Sequence, residues 1–352
     1  LRISPRNAIA GLFPGYFAMV MATGIIAVGA SQQHFVLASK GLTTVAIVAY
    51  VVLIAMTVSR LVLFPRKLVA DLMSHDRGFT FLTTVIGTNV LGSAVALVFG
   101  WWDLARYMWI LGLILWVVLL YGTLISVVVR DDKPEFGEGV NGTWFLITVS
   151  LQSITILGAL LLTRHPSELV TFLCVASFGL GIVLYLIVMT MVFTRWTFHS
   201  PLQRDSDPTA WVATGAVAST VLAGSNLLNA HASSARIDQL ASFLQGMVIL
   251  AWATATFWFP LLIALGVWRH FVKRVPLRYH PSYWAIVYPL GMYGAATFRM
   301  RAVLSLDALG RVPLTMWVVA IVVWMVAMIG LVHTGIVVAG QRNAPGAAPD
   351  VG

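Results

Sequence analysis

Apolar runs of about twenty residues or more follow one another along the chain, separated by short polar breaks. They fall at about 11–30, 41–64, 79–100, 106–129, 142–163, 168–194, 209–229, 241–268, 283–303 and 313–339. A helix rising 1.5 Å per residue needs roughly twenty such residues to cross the hydrocarbon layer of a bilayer. The apolar and polar positions do not alternate, so the ten-residue strands of a membrane barrel are not expected. The pattern predicts ten transmembrane helices. The breaks at 101–105 and 164–167 are short, which pairs the helices as outgoing and returning hairpins.

The ninth run interrupts its own regularity. WAIVYPLGMYGAATFRMR, Trp284 to Arg301, carries Tyr288 just before Pro289, then small residues, then two arginines. On a helix, Tyr288, Gly291 or Met292, Ala295 and Arg299 fall along one stripe: an aromatic, a groove and a positive charge. Such a face suits a wall along a path for anions, with Arg299 at its mouth. It suits equally a helix packed through its glycines, with arginines reaching to the interface.

Composition makes the lipid setting firm. The 352 residues are 59% hydrophobic and 10% charged, and the mean hydropathy of +0.89 is far above the soluble balance. The net charge of +9 does not signal nucleic acid, because the basic residues sit in breaks between apolar runs. Of the 22 Lys and Arg, fifteen lie on the side of the termini and seven opposite. The excess predicts that both termini are cytoplasmic in a multi-pass protein of the plasma (bacterial inner) membrane. The first run is long and further spans follow it, so no cleavable signal pattern is read there. One transmembrane domain is expected over 1–342, with the tail 343–352 disordered. Cys174 has no partner for a disulfide.

All thirteen Asp and Glu fall outside the expected hydrocarbon core. Carriers driven by protons or sodium usually hold the cation on carboxylates within the membrane, and cation channels place acidic rings at their mouths. A neutral interior with basic ends favours anions. Thr88 and Asn89 in the third run, Gln152 in the fifth and Thr220 in the seventh are candidates for a lining that partly replaces an anion's water. Gly291 and Ala295 join them from the ninth. The competing role for each hydroxyl or amide is a hydrogen bond between helices, worth about 0.6 kcal/mol.

Four stretches together resemble the tellurite-resistance/dicarboxylate transporter family, which includes yeast malic-acid transporters, sulfite efflux pumps and the slow anion channels of plant guard cells. They are PGYFAMVMATGI, FTFLTTVIGTNVLG, NGTWFLITVSLQS and YPLGMYGAATFRM, and the resemblance runs from about residue 8 to 340. It implies ten helices as five hairpins in a quasi-fivefold arrangement around a central pore, and a homotrimer with a pore in each subunit. It also implies an aromatic plug on the ninth helix, at Tyr288, beside a small residue on the first, at Ala18. Tyrosine stands where the family's better-known channels have phenylalanine, and alanine where they have glycine. The third, fifth and seventh helices lack the mid-helix prolines common in the family, so their walls are expected either to be kinked less or to kink at Gly87, Gly158 and Gly215 instead.

Three functions compete: a passive pathway for small inorganic or organic anions; a saturable carrier of C4-dicarboxylate, sulfite or tellurium oxyanions; and an intramembrane enzyme. The enzyme would have to use Ser225 with His231, six residues apart and so on different faces of one helix. No metal-ligand cluster and no cofactor motif is present in the sequence.

Overall fold

The computed structural model of the chain describes residues 5–199, 208–231, 234–276 and 279–343. Residues 344–352, nearly all of the expected tail, lie outside them. Every regular element among the described residues is helical. The ten long helices are α1 (Phe17–Gln32), α2 (Val36–Leu63), α3 (Leu82–Phe99), α4 (Trp102–Val129), α5 (Leu146–Leu162), α6 (Glu168–Phe198), α7 (Val212–Asn229), α8 (Ala241–Val267), α9 (Trp284–Leu304) and α10 (Val312–Asn343). Nine of them, all but α9, are long and apolar enough to cross a membrane, among the described residues. The exception has a physical reason. From Val287 to Thr297 every residue of α9 is buried in protein, so glycine, tyrosine, proline and threonine can replace the aliphatic residues that a lipid-facing helix needs.

Burial divides the helices into two classes. In α1, α3, α5 and α7, between 78% and 100% of each span's most apolar stretch is buried, against 11–33% in the five even-numbered helices. The odd helices pack in a closed sequence: α1 on α3, α3 on α5, α5 on α7, α7 on α9, and α9 on α1. Each even helix folds back on the odd helix before it and turns its Val, Ile, Leu and Phe outward, as Val48, Val118, Leu186, Phe257 and Val326 do. A helix buried all round carries no amphipathic signal, whereas one with a lipid-facing side is apolar there too.

A single turn of 3-10 helix introduces each odd helix: Pro14–Tyr16, Gly78–Phe81, Gly142–Phe145, Pro208–Trp211 and Pro281–Tyr283. Proline or glycine opens each turn and an aromatic lies within the next three residues. Proline costs nothing at this place, since the first helical N–H groups have no acceptor. Phe79 packs against Trp144 with ring centroids 4.6 Å apart and planes tilted by 50°, tying two of these turns together. Gly142 faces the backbone of Thr209 and Ala210 in the neighbouring turn, with no room for a Cβ. Gly142→Ala is therefore expected to cost about 1–3 kcal/mol, read as a lowered unfolding midpoint in detergent. Gly179→Ala, which meets open space within a helix, should not lower that midpoint, since alanine is the better helix former.

Candidate functional site: two facing vestibules

Two cavities lie end to end within the odd helices. The near one, about 50 Å³, is lined by the N-terminal portions of α1, α3, α5, α7 and α9 and the turns before them. The far one, about 20 Å³, is lined by the C-terminal portions of the same five helices. The five helices therefore run parallel, with their N-termini around one cavity and their C-termini around the other.

The lining follows one register. Counted from Pro14, Phe79, Gly142, Pro208 and Pro281, every lining residue except Phe13 and Pro281 falls 1, 4, 7, 11, 14 or 18 residues on. This is the spacing of a single helical face. Step 1 is Gly15, Thr80, Thr143, Thr209 and Ser282, so four hydroxyls rim the near vestibule. Step 4 is Ala18, Thr83, Leu146, Val212 and Ala285. Step 18, at the far end, is Gln32, Leu97, Leu160, Asn226 and Arg299. The register of α3 is displaced by one from its opening glycine, so it is counted from Phe79.

Between the vestibules, at steps 7 and 11, the space closes. Step 7 comprises Met21, Ile86, Val149, Gly215 and Tyr288, and step 11 comprises Ile25, Val90, Ser153, Ser219 and Met292. All ten are buried. Tyr288 is 1% exposed and lines the inner end of the near vestibule together with Ala18. Gly215 makes room for it, because a Cβ there would stand 3.3 Å from the tyrosine ring and 3.0 Å from Pro289 Cγ. The phenol oxygen lies 2.9 Å from Ser219 Oγ. Ser219 already donates its one hydrogen to the Gly215 carbonyl at 2.7 Å, so Tyr288 is the donor to Ser219. Its hydroxyl is thus engaged by α7 within the wall.

The other candidates separate cleanly. Arg299 lines the far vestibule, with Nη1 3.4 Å from Asn229 Oδ1. Ala295 stands at step 14 but is packed, its carbonyl accepting from Gln32 Nε2 at 3.3 Å. Gly291 abuts Ile25 and Ile26 of α1. Thr88 donates to the Thr84 carbonyl and meets Tyr50 of α2. Asn89 donates to Ser153 at 3.1 Å and fills the space left by Gly112 of α4. Gln152 donates to the Phe178 carbonyl of α6 at 3.2 Å, against Gly181. Thr220 lines a separate groove between α6, α7 and α8. These four lie at steps 9, 10, 10 and 12, turned away from the stripe toward the even helices. Gly158 is also a point of close approach, to Trp109 and Cys174, while a Cβ at Gly87 would meet Val20 of α1 at ordinary contact distance. Met21, Ile25, Thr209 and Ser282 are lining residues that reading single helices misses, whereas Met292 lies on the stripe read from α9 alone. The recurring Pro or Gly before an aromatic is the signal that aligns them.

No Asp or Glu lines either vestibule, and no Asp or Glu among the described residues is buried. Ser225 Oγ is buried without a partner, and His231 Nδ1 lies 2.9 Å from the Leu228 carbonyl; the two are not bonded to each other.

Residues 12–332 match the family described as SLAC1, voltage-dependent anion channel. An uncharacterized transporter of Methanocaldococcus jannaschii is 25% identical over 90% of this chain and 93% of its own length. An uncharacterized membrane protein of Mycobacterium tuberculosis is 33% identical over 47% of this chain and 86% of its own length. A sulfite efflux pump of Trichophyton rubrum is 23% identical over 83% of this chain and 82% of its own length.

Proposed function

We propose, for a chain that belongs to the SLAC1 family of voltage-dependent anion channels, that small anions cross the membrane along the axis enclosed by α1, α3, α5, α7 and α9. The common register of the lining residues carries this reading, since five unrelated stretches of sequence present the same steps to one line. In this reading the ten helices are five hairpins in a quasi-fivefold ring, and the axis is closed at rest by steps 7 and 11. Tyr288 is the plug, seated against Ala18, Gly215 and Met21. Both termini are cytoplasmic, which places the near vestibule inside the cell, and three chains form a trimer in the plasma membrane.

Electrostatics gives the path its sign. Five helix N-termini, each equivalent to about half a positive charge, surround the near vestibule, and Arg299 stands in the far one. Between them lie hydroxyls and apolar groups, with no fixed charge to trap the ion. Passage requires binding that is favourable enough for entry and weak enough for exit.

A carrier is the second reading, favoured by a relative named as a sulfite efflux pump. Two vestibules separated by a closed middle suit alternating access as well as a gated channel. Reconstitution into liposomes, with tracer flux and current measured together for chloride, nitrate, sulfite and malate, separates the two. Flux carrying its full charge as current supports the channel, and saturating flux without current supports the carrier. No flux of any anion, with the plug intact or removed, overturns the pathway.

The Tyr288–Ser219 bond makes a graded prediction. A buried hydrogen bond between uncharged groups contributes about 1 kcal/mol. If that bond holds the plug shut, Tyr288→Phe keeps the ring and loosens its seat, and resting flux is expected to rise about fivefold. Ser219→Ala is expected to produce a rise of similar size, and the double variant no further rise.

A further inference from the structure

Arg299 is a largely buried guanidinium without a counter-ion. Among the described residues its partner is Asn229, at 3.4 Å, and no carboxylate pairs with it. Its Nε, inside the protein, has no acceptor at all. A cation partly withdrawn from water without an opposite charge is costly, and an anion in the far vestibule relieves that cost.

Two neighbours in the same step narrow the kind of anion. Gln32 on α1 and Asn226 on α7 flank Arg299 on α9, and all three line the far vestibule. The Asn226 amide nitrogen donates to the Ile156 carbonyl at 3.2 Å, and the Gln32 nitrogen to the Ala295 carbonyl at 3.3 Å. Flipping either amide would set oxygen against oxygen, so both orientations are determined. Each amide oxygen is then left buried and unpaired: Asn226 Oδ1 on a residue 3% exposed, and Gln32 Oε1. The residues lining the vestibule therefore carry one unused charged donor and two unused acceptors.

A halide or nitrate satisfies the donor and faces the two amide oxygens with like charge. A fully charged dianion does so more severely. A monoanion that retains one acidic proton satisfies both, since its charged oxygen accepts from Arg299 while its O–H donates to an amide oxygen. We propose that the far vestibule is a recognition site for small singly protonated oxyanions, with Arg299 holding the charge and Asn226 and Gln32 reading the proton. This rests on the anion path proposed above. At rest the cavity is little larger than one water, so the site binds an ion as it passes and stores none.

Hydrogen sulfite and chlorate test it, being pyramidal monoanions of the same charge that differ by a proton. In liposomes at mildly acidic pH, corrected for leak through protein-free vesicles, the wild-type chain should carry hydrogen sulfite about tenfold faster than chlorate, as expected for one buried acceptor gaining or lacking a donor. Gln32→Met and Asn226→Leu should each bring that ratio toward one, with chlorate flux kept or raised. Arg299→Gln should lower both fluxes. A wild-type ratio near one overturns the inference, as does a ratio unchanged in both amide variants; the wild-type measurement decides even where a variant fails to fold. Chlorate and hydrogen sulfite moving equally well leaves the pathway standing and removes only the recognition site. Neither ion moving, even with Tyr288→Ala, removes the pathway itself.

Discussion

Tyr288→Ala is expected to raise resting anion flux by at least about tenfold, equivalent to a barrier lower by about 1.4 kcal/mol. The phenol ring is the largest side chain at step 7, and its neighbour Gly215 has no side chain to close the gap it would leave. Met21, Ile86 and Val149 share that level but stand on α1, α3 and α5, held by their own packing. Truncation opens a channel-side void that water can enter from the near vestibule, which Tyr288 already lines. Gly215→Leu offers a complementary check, since a side chain there overlaps the tyrosine and Pro289 and must displace them. Paired recordings of current and tracer flux, on protein that elutes and melts like the parent, give the answer. Unchanged flux in folded Tyr288→Ala would move the barrier up to Ile25 and Met292.

Asp71→Ala is expected to cost about 3–5 kcal/mol of stability, the usual penalty for leaving a buried charge unpaired. Arg60, near the end of α2, is 3% exposed and donates from Nη2 to Asp71 Oδ2 at 2.7 Å. The same carboxylate meets Arg77 at 3.4 Å, just before the turn that leads into α3. One aspartate on the short helix Pro65–Leu72 therefore fastens the first hairpin to the second. Thermal unfolding in detergent measures the loss. Arg60→Met with Asp71→Leu removes both charges together and should recover most of it. A double variant as unstable as the single one would show that the charges themselves are needed.

Much of the fold is legible because lipid imposes a length. The run read at 142–163 corresponds to a turn and helix ending at Leu162, and that at 209–229 to Pro208–Asn229. Where the reading falls short, interfacial charges are the cause. α2 begins at Val36 and α4 at Trp102, several residues early, because Lys40 and Asp103 interrupt the apolar run without interrupting the helix.

The vestibules are harder to read, for a reason rooted in burial. Every residue of α5 from Leu146 to Leu162 is buried, so neither hydrophobicity nor polarity marks the face turned to the axis. Polarity alone points to Asn89 and Gln152. Both side chains are committed to other helices, where a buried amide finds a carbonyl or hydroxyl. The stripe on α9 and the family resemblance point to Tyr288, Ala18 and Arg299, and all three line a vestibule. Met21, Ile25, Thr209 and Ser282 emerge only when five helices are aligned at once.

Cysteine accessibility along that alignment is the most direct test of the path. Cys174 is the sole native cysteine and is fully buried, so single cysteines can be placed in an otherwise silent chain. In Tyr288→Ala protein, a charged thiol reagent should block flux at Leu146→Cys and at Leu222→Cys, on steps 4 and 14. It should leave flux unchanged at Thr88→Cys and Gln152→Cys, which face the outer helices. Block at the second pair with none at the first would contradict a path along the axis of the odd helices.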